Sequence, residues 1–309
     1  MKILQPSPEN IVSTARAIQS GRVVVIPTET VYGLACHALD SRAVQHVFEI
    51  KGRPPDNPLI VHIGSFDQLV DITEVVPPAA KALASRFWPG PLTLVLPKRP
   101  TVPYCTTGGL DTVAVRVPRH PVALAVIKES GCPVAAPSAN LFTRLSPTSA
   151  HEIDPAILCQ VDMVLDGGQC EIGLESTVLD LTSDEPIVLR PGAVTRADIQ
   201  AVLGRPLGSG PPSSVRKSPG QYARHYAPRA QVKLVDRVPV GQPGLTLDRP
   251  ADERQIRMPA DPAAYAANLY RSLQRLDETG TEDIFVELPP RDPEWEAVHD
   301  RLKKASTWA

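Results

Sequence analysis

The sequence predicts an α/β fold with two domains, and three observations support that prediction. Short apolar runs that resemble buried strands alternate with segments that have the apolar spacing of amphipathic helices. At 309 residues the chain is long enough for a full core and for a second unit. A stretch rich in proline, glycine and serine interrupts the alternation at residues 206–219. We therefore place a large domain at residues 1–205, a linker at 206–229 and a small α/β domain at 230–309.

Helix and strand signals recur through the large domain. The first helix is predicted at Ser7-Pro8-Glu9, since a serine cap, an early proline and an early acidic residue favour a helix N-terminus; Gly21 ends it. Further helices are predicted at Ser41–Ile50, Pro78–Phe87, Pro121–Glu129 and Arg196–Leu203. Strands are predicted at Val23–Ile26, Leu59–Ile63, Leu92–Leu96, Val113–Val117, Val134–Ala136, Met163–Leu165, Ser176–Leu181 and Ile187–Leu189.

The same signals continue after the linker. Strands are predicted at Val232–Val235 and Ile284–Glu287, with helices near Ala263–Leu276 and Glu294–Lys304. This alternation predicts a second, smaller α/β unit.

Composition excludes several classes of protein. The 32 Lys and Arg nearly balance the 34 Asp and Glu, which argues against a protein whose main task is to grip nucleic acid. The five scattered cysteines include no CxxC pair, so neither a zinc site nor a disulfide scaffold is indicated. The N-terminus has no signal-peptide pattern, and no apolar run reaches membrane length. We expect a soluble, cytoplasmic protein that does not enter a membrane.

The most informative segment begins at Lys51 and contains two cations one residue apart. Lys51 and Arg53 alternate with Gly52 and are followed by Pro54, Pro55 and Pro58. Because these residues stiffen the loop, the cations are positioned at folding rather than at binding, which suits an anionic ligand. For the Lys-x-Arg pattern alone, a solvated basic loop would be the better interpretation.

Polar side chains cluster elsewhere in the large domain. Thr28 and Thr30 follow a predicted strand, where open α/β sheets commonly bind ligands. A lone histidine in a strand, such as His62, is more often a core residue, but His62 shares a short segment with the two cations.

Taken together, the clusters indicate a polyphosphate site. Each alone could equally be a helix cap, a turn or a charge at the rim of the protein. Jointly they offer four cations and several hydroxyls: Lys51, Arg53, Arg116 and Arg190, with Thr112, Ser138, Ser146 and Ser176. Neither a GxxxxGK[ST] loop nor a GxGxxG fingerprint is present to explain them.

Seven motifs occur in an order that resembles the threonylcarbamoyl-AMP synthase family in its long, two-domain form. They are PTETVYGL, KGRP with NPLIVHI, AVRVP, PSAN with SPT, GLESTV, VLRPG and SPGQYARHYAP, and they span essentially the whole chain. The resemblance implies a twisted mixed sheet that forms a concave catalytic domain, followed by a small Rossmann-like domain. It also implies synthesis of threonylcarbamoyl-AMP and pyrophosphate from L-threonine, bicarbonate and ATP. A separate transferase complex then modifies the tRNA adenosine beside the anticodon.

The resemblance also implies residue roles. L-threonine would be held by Thr30, His62, Arg116, the backbone of Ala136, and Ser176, with Arg116 pairing its carboxylate. ATP would be held by Lys51, Arg53, Asn57, Thr112, Ser138, Ser146, Arg190 and His225. Lys51 and Arg53 are the predicted catalytic residues, which hold bicarbonate and the phosphates. Mg²⁺ would arrive with ATP, since no carboxylate cluster offers a protein cage. After Asn140 the chain departs from many members, with Leu-Phe-Thr in place of Ser-Gly.

The same residues leave two other functions open, and they allow two roles for the linker. Hydrogenase-maturation carbamoyltransferases share the implied fold, but they carry zinc-finger segments and this chain has no CxxC. A double-stranded RNA-binding module would also use cations, although aromatic stacking residues are scarce; weak RNA binding stays open as a further property. The linker, which carries His225, is predicted to be a lid over the ATP site, and the alternative is a plain tether.

Overall fold

The computed structural model describes residues 3–208, 218–220, 222–248 and 250–307. Within these ranges the chain forms two separate β-sheets flanked by helices, so the predicted α/β class is confirmed. The central part of the predicted linker, residues 209–217, lies outside the described residues and includes Pro211 and Ser214. Over the described ranges, no helix combines the length and apolar character needed to cross a bilayer.

The large sheet is mixed. Its strands are β1 (Ile3–Leu4), β2 (Val24–Ile26), β3 (Gly33–His37), β4 (Ile60–His62), β5 (Leu92–Pro97), β6 (Thr112–Arg116), β7 (Val134–Ala135), β8 (Val164–Leu165), β9 (Thr177–Asp180) and β10 (Ile187–Arg190). They lie in the order β1-β8-β2-β3-β7-β4-β6-β5-β9-β10. The accompanying helices are α1 (Pro8–Gln19), α2 (Ser41–Lys51), α3 (Leu69–Ile72), α4 (Pro78–Phe87), α5 (Pro121–Ser130), α6 (Pro155–Leu158) and α7 (Arg196–Leu203).

The small sheet is parallel. Its strands are β11 (Gln231–Val235), β12 (Gly244–Thr246), β13 (Gln255–Arg257) and β14 (Asp283–Glu287), with helices α8 (Pro262–Asp277) and α9 (Glu296–Ser306). The strand order is β11-β14-β12-β13. Since crossover connections place helices against a parallel sheet, this unit agrees with the predicted small α/β domain.

Local sequence signals account for most helix ends. Ser7 caps α1 by accepting a hydrogen bond from the backbone N–H of Asn10 at 3.3 Å, as predicted. Gly52 ends α2 with φ of 59°, a left-handed conformation that glycine adopts without steric cost. That turn fixes Lys51 as the last residue of the helix.

The strands that sequence analysis missed are short or lack the usual pattern. β3 is buried along almost its whole length, so it shows no alternation of polar and apolar residues. β12 and β13 have three residues each, too few for a periodic signal.

Hydrophobic clusters cover the large sheet and join the two units. One cluster packs α2 and α4 against the sheet, and a second packs α1 and α5 against it. A third belongs mainly to the small domain, but it also includes Val31 and Leu174 of the large domain and Tyr226 of the linker. The small domain therefore packs directly beside the polar motifs.

Candidate active site

One cavity collects most of the predicted site residues. It encloses about 40 Å³ and lies over the parallel pair β4–β6, where His62 is in register with Arg116. Its lining includes these predicted residues: Thr30, Arg53, His62, Arg116, Ala136, Ser138, Ser176, Arg190 and His225. Cations from the loop after α2, from β6 and from β10 thus converge, although they lie far apart in the sequence.

Arg116 is held by an acidic residue that sequence analysis missed. Its Nη2 forms an ion pair with Oε1 of Glu29 at 2.7 Å, and both side chains are buried. Its Nη1 donates to Oγ1 of Thr30 at 3.1 Å, and Nε donates to the carbonyl of Gly90 at 3.0 Å. Burial alone would raise the pKa of Glu29, but the charge of Arg116 and its hydrogen bonds lower it. Arg116 is therefore positioned before any ligand arrives.

His62 is neutral at physiological pH. Burial, reinforced by the charge of Arg116, lowers its pKa to about 3. Its Nδ1 has no hydrogen-bond partner among the described residues. His62 can therefore offer an uncharged hydrogen-bonding group to a ligand, and it does not change charge between pH 5 and pH 8.

Lys51 and Arg53 are buried rather than exposed on a loop. They are only 2% and 6% accessible. The Nζ of Lys51 donates to the carbonyls of Ser138 and Asn140 and to Oδ1 of Asn140, the last at 3.3 Å. Arg53 donates from Nε to the carbonyl of Asn57 at 3.2 Å and from Nη2 to the carbonyl of Pro58 at 2.9 Å. Carbonyl dipoles therefore hold both cations where water does not reach them.

The two cations destabilise each other in the absence of an anion. Burial and the charge of Arg53 lower the pKa of Lys51 well below its usual value. Burial likewise lowers the pKa of Arg53 to about 10, which leaves the guanidinium charged at neutral pH. An anion beside them would remove this repulsion, so the pair favours an anionic ligand.

Asn57 is a further buried polar residue near Lys51 and Arg53. It is fully buried, and neither Oδ1 nor Nδ2 has a hydrogen-bond partner in the described part of the chain. Because buried amides are nearly always paired, Asn57 is positioned to bind a group that the described residues do not supply.

Ser176 and Glu175, which are neighbours in the chain, each belong to a group of hydrogen bonds beside the cavity. Arg190 donates from Nε to the carbonyl of Ser176 at 3.0 Å and from Nη2 to its Oγ at 3.1 Å. Ser176 also shares a 2.7 Å hydrogen bond with Thr93. Ser146 donates to Oε1 of Glu175 at 2.6 Å, and Glu175 lines the cavity. Ser176 therefore contacts a cation that the resemblance assigned to ATP.

The described part of the linker closes the cavity. Pro219, His225 and Tyr226 line it. The His225 ring meets Phe142 edge-on, with centroids 5.9 Å apart, and its Nε2 has no partner among the described residues. Burial, followed by the charge of Arg53, lowers the pKa of His225 well below its usual range, so the ring is neutral.

Four predicted residues are not part of the cavity lining. Lys51, Asn57 and Ser146 lie just behind it, since each is hydrogen-bonded to a residue that lines it. Thr112 is the exception. It begins β6, four residues before Arg116, and is paired with Pro97 of β5. At about 3.3 Å per residue, the strand places it roughly 13 Å from Arg116.

Sequence analysis also missed Glu175, Phe142 and Tyr226, which lie in or beside the site. The role of Glu175 could have been predicted from the sequence. A single acidic residue in a motif rich in hydroxyls is expected to pair with one of the several cations of the same site. Phe142 belongs to the segment noted as a departure, and it contacts the rings of both Tyr222 and His225. No local pattern predicts that contact.

The acidic groups near the cavity are already paired. Glu29 pairs with Arg116, and Glu175 pairs with Arg301 at 2.9 Å. Across the described ranges, no group of three His, Cys, Asp or Glu side chains is placed to hold a metal ion.

The buried cations of the site favour an anionic ligand. Comparison with known proteins gives the family. A model for Sua5, YciO and YrdC proteins, described as "Telomere recombination", matches residues 16–192. A model described as "Threonylcarbamoyl-AMP synthase, C-terminal domain" matches residues 194–307.

Individual relatives agree over nearly the full length. The threonylcarbamoyl-AMP synthase of Pyrococcus abyssi is 44% identical over 94% of this chain and 92% of its own. That of Bacillus subtilis is 39% identical over 98% and 94%. The crystal structure of P. abyssi Sua5 complexed with L-threonine superposes with a TM-score of 0.90 at 41% identity, covering 99% of this chain and 96% of that one.

The chain belongs to the threonylcarbamoyl-AMP synthase family, in its long two-domain form. It is an enzyme, and threonylcarbamoyl-AMP synthesis is the function that its relatives support. The family resemblance read from the motifs is therefore confirmed.

Proposed function

We propose that this enzyme forms threonylcarbamoyl-AMP and pyrophosphate from L-threonine, bicarbonate and ATP, which makes it a nucleotidyltransferase. The observation that carries the proposal is the burial of Lys51, Arg53, Arg116 and Arg190 around one small cavity. Among the described residues, Glu29 and Glu175 offer buried compensating charge, and each already faces an arginine; Asp56 adds a weaker effect on Arg53. Such an excess of buried positive charge is costly unless an anion of high charge binds there.

The L-threonine end is proposed around β4 and β6. Arg116 would pair the substrate carboxylate while Glu29 fixes the guanidinium from the other side. Thr30, the neutral His62 and Ser176 supply hydrogen-bonding groups for the substrate hydroxyl and amine, beside the backbone of Ala136. Support comes also from the related P. abyssi Sua5, whose structure is a complex with L-threonine.

The ATP end is proposed around Lys51, Arg53 and Arg190. These cations would neutralise the phosphates, with Ser138, Ser146, Asn57 and Thr112 as polar contacts and His225 over the nucleotide. The amide of Asn57 and the Nε2 of His225 support such contacts, since neither has a hydrogen-bond partner among the described residues. Mg²⁺ would enter with ATP, held by phosphate oxygens and water, because both nearby glutamates are occupied by arginines.

The chemistry needs positioning more than acid–base catalysis. The threonine amine adds to the carbon of bicarbonate with loss of water, or to CO2 derived from it with loss of a proton from the nitrogen, which gives N-carboxy-threonine. An oxygen of the new carboxylate then attacks the α-phosphorus of ATP, and the bond to the β,γ-pyrophosphate breaks. Lys51 and Arg53 would hold bicarbonate and the phosphates together, against their mutual repulsion, and would neutralise charge as it develops.

The product then requires a partner. We propose that a tRNA threonylcarbamoyl transferase complex accepts threonylcarbamoyl-AMP and modifies the adenosine beside the anticodon. A cytoplasmic location fits this role and the five free thiols, three of which are buried.

ATP cleavage is expected to require both L-threonine and bicarbonate. Pyrophosphate release and the mass of the adenylate should appear only when both are present, because the nucleophile forms from the two together. Reactions that lack one of them are the controls. Equal ATP cleavage without threonine would contradict the proposed reaction, and no cleavage at all, combined with tight duplex RNA binding, would favour the RNA-binding module.

Serine is expected to compete with L-threonine better than valine does. Valine nearly matches the shape of threonine but leaves the hydroxyl partners in the pocket unpaired, at roughly 1–3 kcal/mol per buried group. Serine keeps the hydroxyl and loses one methyl, worth about 0.8 kcal/mol. Competition assays with both amino acids measure the order. Valine binding as tightly as threonine would contradict the assignment of Thr30, His62 and Ser176 to this pocket.

A further inference from the structure

A buried charge network connects the small domain to the catalytic cavity. Arg301 of α9 is fully buried, and its Nε donates to Oε2 of Glu175 at 2.9 Å. The hydroxyl of Tyr270 in α8 donates to the same oxygen at 3.0 Å. Two helices of the small domain thus contact a carboxylate that lines the cavity.

Both carboxylate oxygens of Glu175 have a defined task. Oε2 accepts from Tyr270 and Arg301, and Oε1 accepts from Ser146 at 2.6 Å. Because the donors occupy opposite oxygens, the side chain cannot rotate without losing hydrogen bonds. Ser146 is thereby oriented by groups of the small domain.

Arg301 is itself fixed from several directions. Its guanidinium lies 4.9 Å from the centroid of the Tyr226 ring, and its Nη1 pairs with Asp300 at 2.6 Å. Asp300 also pairs with Lys304 at 2.7 Å. Tyr226 in turn stacks on Tyr270 with centroids 5.9 Å apart, so the two donors to Glu175 share one aromatic neighbour.

The network also keeps Glu175 negatively charged beside the cations that are proposed to bind phosphate. Burial would raise the pKa of Glu175, but the charges of Arg301 and Arg190 lower it, so the carboxylate stays ionised. Glu175 in turn raises the pKa of Lys51 against the larger effects of burial and of Arg53. With its small-domain partners absent, Glu175 would be free to turn toward Lys51 and Arg190 and to compete with an anionic ligand for them.

We propose that Tyr270 and Arg301 of the small domain are positioning residues for the ATP end of the active site, acting through Glu175. The inference rests on the proposed assignment of Ser146, Lys51 and Arg190 to ATP. The threonine end has its own acid, Glu29, which Arg116 holds independently. The small domain is therefore expected to affect ATP affinity more strongly than threonine affinity.

Tyr270→Phe isolates this effect, because it removes one hydroxyl and keeps the stacked ring. It is expected to raise the calorimetric Kd and the KM for ATP about three- to tenfold, the net size of one ordinary hydrogen bond, because the lost bond acts on ATP only indirectly through Glu175. The KM for L-threonine should stay close to the wild-type value, and the Tm should fall by only a few degrees, since the stacked ring is kept. Tyr265→Phe is the matched control, since Tyr265 is a buried tyrosine of the same helix whose hydroxyl has no partner among the described residues.

Glu175→Gln completes a double-mutant cycle. If Tyr270 acts through Glu175, the double variant should bind ATP no more weakly than Glu175→Gln alone. Arg301→Lys, which keeps the charge, should retain more ATP affinity than Arg301→Gln.

The proposal is overturned if Tyr270→Phe behaves like Tyr265→Phe, if it raises both KM values alike, or if its effect simply multiplies with that of Glu175→Gln. Failure of the proposed function would be a separate result. The wild-type chain would then make no threonylcarbamoyl-AMP, whereas the calorimetric titrations would still measure ATP binding by each variant.

Discussion

Lys51→Met and Arg53→Met are each expected to reduce threonylcarbamoyl-AMP formation about 10²- to 10³-fold, the loss typical of removing one preorganised group that stabilises developing charge. Both cations are already held by carbonyl oxygens inside the site, so they need little reorganisation during the reaction. Methionine fills much of the space that lysine or arginine occupies, and loss of one cation relieves the repulsion between the pair. The variants are therefore expected to stay folded.

Arg42→Met is the matched control for this pair. Arg42 lies on the same helix as Lys51 but is exposed, and it should keep wild-type turnover. Turnover comes from the pyrophosphate assay and folding from circular dichroism and Tm. Near-normal turnover in either cavity variant would remove the catalytic assignment, and so would activity that falls only in step with unfolding.

Sequence signals predicted the helices of the large domain well because those helices carry their own end markers. α4 and α7 were predicted with the bounds that the structure has, since Pro78 begins one and Gly204 follows the other. β12 and β13 were missed because they are held by neighbouring strands rather than by a pattern of their own. Strand pairing of this kind leaves no trace in a three-residue segment.

The site was predictable as a set of residues but not as a set of contacts. The motifs placed Arg53, His62, Arg116 and Arg190 in one site, and the structure brings them to one cavity. Which acid holds which arginine could not be read from spacing, because Arg116 finds Glu29 and Arg301 finds Glu175 only after folding. The burial of Lys51 was missed for the same reason, since its partners come from the loop after β7.

Truncation after Gly204 is expected to leave a first domain that folds less stably and makes almost no threonylcarbamoyl-AMP. The large sheet keeps its own hydrophobic clusters, which favours folding. The truncation would expose Val31 and Leu174, which pack against the small domain, and would leave the buried carboxylate of Glu175 without Arg301. Tm and adenylate formation by the truncated domain measure both effects, and full-rate synthesis would show that residues 205–309 are dispensable.

Hydrogen exchange in the full chain can distinguish whether the linker is a lid or a tether. The cavity of about 40 Å³ holds only a few water molecules, whereas pockets for drug-sized ligands enclose roughly 300–1,000 Å³. ATP binding as proposed would require Pro219, His225 and Tyr226 to move outward. The backbone N–H of Ala227 donates to the carbonyl of Thr143 at 2.9 Å, a contact that must be remade when the segment closes again. We expect residues 222–230 to gain protection when ATP and L-threonine bind together, since closure would shield the labile product from water. Exchange that ligands leave unchanged, in a chain that is fully active, would identify this segment as a tether.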